Sequence, residues 1–271
     1  MGKSEDASGT ERYHIRAILR ALDVLEAFSV DKSALSLTEV SEAVGLNAST
    51  TYRLLATLQS RGYIEQDPAT GRYRIGVACL RPSSVFVAQL NVRERVYPLL
   101  VQLRDETRES VHLCILDHCT MEVIYLEKLE GLEPIGPMRS RVGGRAPAHC
   151  TGVGKALLAH CDPDEVSAFF SRHGISRYTP RTVASLEMLM EELALARERG
   201  YAIDKAEHEE GVMCVAVPVW NHLNRVQAAI SISGTVERMT RAIQGGDLVR
   251  RVVEAGHEAS KRLGHIARPT L

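Results

Sequence analysis

Ser49, Thr50, Tyr52 and Arg53 stand side by side and lie off the apolar stripe made by Leu54, Leu55 and Leu58. Hydroxyls donate to phosphate oxygens and base edges, and an arginine fork matches a guanine edge or a phosphate. Further along, Arg72 and Arg74 sit two residues apart. On a strand that spacing sends both side chains to one face, where phosphate or minor-groove contact is the natural use. These six residues are the candidate DNA-binding set.

A second group of reactive types spans His149 to Lys155. Cys150 beside His149 has the composition of a nucleophile and a base, but sequence neighbours rarely point at one another, so no enzyme is expected. A phosphate loop would need glycine in place of His149 and Ser or Thr in place of Ala156. A dinucleotide fingerprint fails at Leu157. His149, Cys150, His208 and Cys214 lack the regular spacing of a metal motif, so neither metal nor other cofactor is expected. The alternative reading is a thiol- or metal-responsive regulator that uses Cys150 and Cys214. The six cysteines form no CxxC pair, which suits free thiols acting as small apolar residues. Lys155, in a first helical turn, is expected to extend to solvent.

The elements that position the first group are legible locally. Arg12 to Ser29 predicts a helix whose stripe is Ile15, Ile18, Leu19, Leu22 and Leu25. Ser36 followed by Glu39 predicts a capping box, and Gly45 ends that helix. A third helix runs to about Arg61, with Leu54, Leu55 and Leu58 inward. Tyr63–Gln66 and Arg72–Ile75 alternate around the turn-forming Asp67–Gly71, a hairpin. Helix, turn, helix and hairpin in this order make a winged helix-turn-helix. Its second helix enters the major groove.

Arg81 and Pro82 are expected to break the chain before a helix over Val85–Arg108. Beyond it, Val111–Asp117, Met121–Lys128, Val212–Val219 and Val226–Ser233 predict strands. Thr151–His160, Asp164–Phe170, Ser185–Arg199 and Asp247–Leu263 predict helices. The expected division is a disordered tail over 1–10, a DNA-binding domain over 11–80, a linker helix over 81–96 and a second domain over 97–271.

Composition sets limits. Of 271 residues, 45% are hydrophobic and 25% charged, and the net charge is −1, so no overall positive excess supports nucleic-acid binding. Support is local. From Gly45 to Leu80, Arg53, Arg61, Arg72 and Arg74 outweigh Glu65 and Asp67, leaving +2. No apolar run suits a membrane span or a signal peptide, so the expected location is cytoplasmic, with no membrane partner.

The runs Arg20–Phe28, Leu37–Ser41 with Gly45-Leu46, Ser49–Leu58, Arg61–Tyr63 and Gly71–Gly76 resemble the isocitrate lyase regulator (IclR) family of bacterial transcriptional regulators. So do Ala148–Ala159, Gly200–Asp204, Glu207-His208, Gly211–Val219 and Ala229–Gly234. Arg81-Pro82 departs from the family, which usually runs helically there. The resemblance implies an α+β fold: a winged helix-turn-helix, a linker helix, and a GAF- or profilin-like antiparallel sheet flanked by helices. It implies a repressor or activator that binds operator DNA and a small-molecule effector, as a homodimer or a dimer of dimers.

Strand alternation bears on the effector domain. Val215, Val217, Val219, Ile230 and Ile232 form core faces, and Cys214, Ala216, Ala229, Ser231 and Ser233 form a small, partly polar opposite face. Thr151 caps a helix whose Gly152 and Val153 N–H groups are free, an arrangement suited to a carboxylate. Asp204 would repel a bare carboxylate, so it is assigned a hydroxyl, amine or water. The effector contacts implied by the resemblance are Gly152, Val153, Asp204, Cys214, Ser231 and Ser233.

Overall fold

The computed structural model describes residues 15–29, 32–90, 92–133, 135–136 and 138–265. The expected tail over 1–10 lies outside them. The chain divides into two compact units, Met1–Leu90 and Asn91–Leu271.

The first unit runs α1 (Arg16–Glu26), β1 (Ala34–Leu35), α2 (Leu37–Val44), α3 (Ala48–Ser60), β2 (Ile64–Gln66), β3 (Tyr73–Ile75) and α4 (Leu80–Leu90). The strands form one antiparallel sheet in the order β1-β3-β2. Val24, Leu35, Val40, Leu55, Ile64 and Tyr73 make its core. Of the stripe expected on α1, only Leu25 packs against that core. Val24 is the buried residue, and Ile15, Ile18, Leu19 and Leu22 are exposed. Helical periodicity reports an apolar face but not what covers it.

The expected break at Pro82 is also corrected, since α4 runs through Arg81 and Pro82. Pro82 is the third residue of that helix, where a backbone N–H has no intrahelical partner to lose. Helix is described over α4 and, from the residue after 91, over α5 (Val92–Thr107), where Val85–Arg108 is expected to be helical.

The second unit continues with β4 (Ser110–Asp117), β5 (Glu122–Leu129), β6 (Arg145–Pro147), α6 (Gly152–Leu158), α7 (Pro163–His173), α8 (Leu186–Arg199), β7 (Ala202–Asp204), β8 (Val212–Trp220), β9 (Val226–Thr235), α9 (Val236–Gln244) and α10 (Asp247–Arg262). Its sheet has the order β6-β5-β4-β9-β8-β7, with every neighbouring pair antiparallel. The small face of β8 and β9 packs against α6. A Cβ on Gly152 would stand 3.3 Å from the Cys214 Cβ and 3.4 Å from the Ala216 Cβ, so glycine lets the helix lie close. Ala216 and Ala229 join Leu157, Val166, Phe170, Leu189 and Leu193 in one core. No helix among the described residues is long and apolar enough to cross a membrane.

Candidate DNA-binding surface and ligand pocket

The helix-turn-helix is built from local chemistry. Ser36 Oγ accepts from the Glu39 N–H at 3.3 Å, and Glu39 Oε2 accepts from the Ser36 N–H at 2.7 Å. Gly45 takes the left-handed conformation at φ 64°, which an L side chain resists. Asn47 Oδ1 then caps α3 by accepting from the Thr50 N–H at 2.9 Å. Leu55 and the fully buried Thr51 anchor α3 inward, which turns Ser49, Thr50, Tyr52 and Arg53 to solvent. Four of the six expected DNA-binding residues therefore share one open helical surface.

The wing arginines are less free than their sequence spacing suggests. Arg72 Nε and Nη2 donate to the Ala34 carbonyl at 3.2 and 3.1 Å, and Nη2 donates to Glu39 Oε2 at 2.6 Å. Arg74 Nε and Nη2 donate to Glu65 Oε2 at 3.2 and 3.0 Å. Hydrogen bonds from Ser36, and then from Arg72, hold the Glu39 carboxyl at about 2, so it stays a carboxylate at neutral pH.

In the second unit, Gly152, Val153, Asp204, Cys214, Ser231 and Ser233 all line one cavity. Cross-strand register explains the convergence, since Cys214 pairs with both Asp204 and Ser233, and Ser231 with Ala216. The space is about 30 Å³, enough for little more than ordered water. Three contacts hold its lining residues His112, Ser140 and Glu209. Ser140 Oγ lies 3.0 Å from His112 Nε2, Lys128 Nζ donates to the Ser140 carbonyl at 2.9 Å, and the Arg139 N–H donates to Glu209 at 3.2 Å. An organic ligand requires these side chains to shift.

The lining adds His112, Tyr125, Ser140, His208 and Glu209 to the expected set. His112 was detectable. In β4, Ser110, His112 and Cys114 alternate with Val111, Leu113 and Ile115, so polar positions recur at the period of one face. Met138–Ser140 carries no such pattern.

Burial lowers His112 to about 3 and His208 to about 4, so both imidazoles are neutral near pH 7. Among the described residues, no lysine or arginine lines the cavity. Asp204 is 3% exposed and accepts from the Glu207 N–H at 2.7 Å. Burial, with the Glu207 charge, pushes its carboxyl up to about 7. The folded state therefore holds the Asp204 proton more tightly than the unfolded chain, so stability falls as pH rises from 3.8 to about 7. Asp204→Asn is expected to gain stability over the parent through that window and to level off above it. Denaturant midpoints across pH measure this, and a difference independent of pH contradicts it.

Ser233 Oγ donates to Cys214 Sγ at 3.1 Å. Burial raises both the Cys214 and Cys150 thiols, against the thiolate form that a thiol sensor uses. His149 Nε2 lies 2.9 Å from the Ser176 carbonyl, and no metal-binding group of His, Cys, Asp or Glu occurs among the described residues.

Lys155 corrects the sequence reading. It is 1% exposed, and its Nζ lies 2.6 Å from Glu207 Oε1 and 3.9 Å from Glu192 Oε2. The loop after β7 and the helix α8 carry those carboxylates, so the ammonium finds its partners inside the protein. Glu207 Oε2 is buried with no hydrogen-bond partner among the described residues.

Residues 17–68 match the IclR helix-turn-helix domain, and residues 85–261 match the bacterial transcriptional regulator IclR C-terminal domain. The chain is 40% identical over 254 residues to the HTH-type transcriptional regulator XynR of Escherichia coli K12, covering 93% of this chain and 99% of that one. It is 33% identical over 252 residues to the transcriptional repressor IclR of the same organism, covering 92% and 90%. Among solved structures, it resembles an IclR homolog from Microbacterium hydrocarbonoxydans complexed with 4-hydroxybenzoate. That match has a TM-score of 0.80 at 27% identity and covers 92% of this chain and 99% of that one.

Proposed function

Because the chain belongs to the IclR family of bacterial transcriptional regulators, we propose that a small organic metabolite in the cavity of the second unit sets its affinity for operator DNA. The proposed ligand is a carboxylic acid. The family is one of regulators and not of enzymes.

The observation that carries the ligand reading is the convergence of six residues from α6, β7, β8 and β9 on one small cavity. The Ser231 hydroxyl and the neutral His112 offer donors to an oxygen-rich molecule, the Ser233 hydroxyl offers another once it turns from Cys214, and Asp204 accepts from a hydroxyl or amine. Binding of 4-hydroxybenzoate by a neighbour of this fold supports the acid. Ser49, Thr50, Tyr52 and Arg53 on α3 read the major groove, with Arg72 and Arg74 on the wing beside it.

Two copies bind two half-sites of one operator. Ile15, Ile18, Leu19 and Leu22, exposed along α1, are the surface through which they pair. A monomer in sedimentation would contradict this.

Replacing Ser231 and Ser233 together by alanine tests the ligand reading. The response of DNA affinity to a cognate acid is expected to weaken at least roughly tenfold, as the loss of two hydrogen bonds implies. Ligand-free DNA affinity should stay unchanged. If both fall together, the serines serve the fold and not the ligand.

A further inference from the structure

We infer that Arg72 is a positioning residue: with Glu39 it clasps the wing to the first turn of α2, and does not itself neutralise a phosphate. The inference rests on the DNA-binding reading above and assigns Arg72 a different part in it.

Arg72 sits at the base of the wing loop, where its carbonyl accepts from the Asp67 N–H at 2.9 Å. Its guanidinium reaches two other elements. Nε and Nη2 hold the Ala34 carbonyl on β1, and Nη2 holds Glu39 in α2 at 2.6 Å. Glu39 is itself fixed, because the same Oε2 accepts from the Ser36 N–H at 2.7 Å. One side chain thus ties hairpin, edge strand and helix cap together. The order of elements then links the clasp to α3, which follows α2 through the Gly45 turn.

Arg74 supplies the contrast. Its partner Glu65 lies directly across the same hairpin, β2 to β3. That pair stays within the wing and fixes nothing relative to α2, so Arg74 is the wing arginine left to meet phosphate. Arg72 has 42% of its side chain exposed and Glu39 46%. Exposed pairs of this kind add little stability, so substitutions here are expected to leave the fold intact.

The two roles make opposite predictions. If Arg72 met a phosphate, Glu39 would compete with the DNA, and Glu39→Gln would tighten binding. If Arg72 clasps, Glu39→Gln loosens the wing and weakens binding. Glutamine keeps an acceptor for the Ser36 N–H, as a capping box allows. Lysine at position 72 separates the roles again, because a point charge serves a phosphate but does not bridge two acceptors as the planar fork does.

The test uses the full chain and a duplex that the parent protein selects from a randomised pool. Dissociation constants are measured over a salt series beside a non-specific duplex. For Glu39→Gln and for Arg72→Lys, affinity for the selected duplex is expected to fall roughly fivefold, within the range for coupled neighbours. The salt slope and the non-specific affinity are expected to stay at parent values. Glu65→Gln, the control within the wing, is expected to bind as well as the parent or better.

Tighter binding by Glu39→Gln would overturn the inference, as would parent-like affinity of Arg72→Lys. A salt slope lowered by about one on Arg72→Ala would mark a phosphate contact and overturn it too. If the parent chain selects no duplex, the DNA-binding reading fails, and the clasp fails with it. That outcome is separate from a selected duplex whose binding ignores Glu39 and Arg72, which overturns the clasp alone.

Discussion

Arg53→Ala is expected to cost roughly five- to a hundredfold in affinity for a selected operator, the value of one good arginine contact with a base. Arg53 projects from α3 next to Thr50 and Tyr52, on the side away from Leu55 and Thr51. No acidic side chain pairs with it among the described residues, whereas carboxylates hold Arg72 and Arg74. Its guanidinium is thus the free cation on the helix that the fold offers to DNA. The loss should concentrate on the selected sequence, with a smaller effect on a non-specific duplex. Removing an exposed side chain changes folding stability little, so the melting temperature should match the parent's. Titration of the labelled duplex with both proteins decides this, and equal affinities would remove α3 as the reading helix.

The second large effect lies in the fold of the ligand-binding unit. Lys155→Met is expected to destabilise the protein by about 3–5 kcal/mol, the cost of stranding one member of a buried ion pair. Glu207 already has one buried oxygen without a partner among the described residues, and losing the ammonium 2.6 Å from the other leaves its charge uncompensated. The Glu207 N–H also holds Asp204, so the disturbance reaches the cavity wall. Adding Glu207→Gln removes the stranded charge and is expected to restore most of the loss, since a buried pair and its neutral replacement often differ little. Denaturant unfolding of both single variants and the double variant measures the coupling. A loss below about 1 kcal/mol for Lys155→Met, the range of exposed pairs, would show that the ammonium reaches water.

These two residues also mark what sequence reasoning reaches. Arg53 was legible because everything that orients it is local: Ser36 with Glu39, the Gly45 turn and the Asn47 cap precede it within one supersecondary unit. The cavity residues Cys214, Ser231 and Ser233 were legible because strand alternation assigns faces without knowledge of the partner. Lys155 was not. Its partner Glu207 lies 52 residues away, and nothing in the first turn of α6 announces that a loop and α8 will cover it. Arg72 fails for the same reason, since its acceptors are 33 and 38 residues distant. The short β1, β6 and β7, of two or three residues each, show no alternation to read. The α1 stripe was recognised as apolar, but the core that takes Val24 and packs against Leu25 leaves Ile15, Ile18, Leu19 and Leu22 exposed.

The central claim is that one site sets the affinity of the other, and thermodynamic linkage makes it measurable. Small carboxylic acids are first screened by the rise in melting temperature that binding causes. The parent chain is then titrated with its selected duplex, with and without the acid that binds. The expected result is a change in Kd of at least about fivefold, with the acid's own Kd changed by the same factor when DNA is present. An acid that raises the melting temperature through the Ser231 and Ser233 cavity yet leaves the DNA Kd unmoved would contradict it.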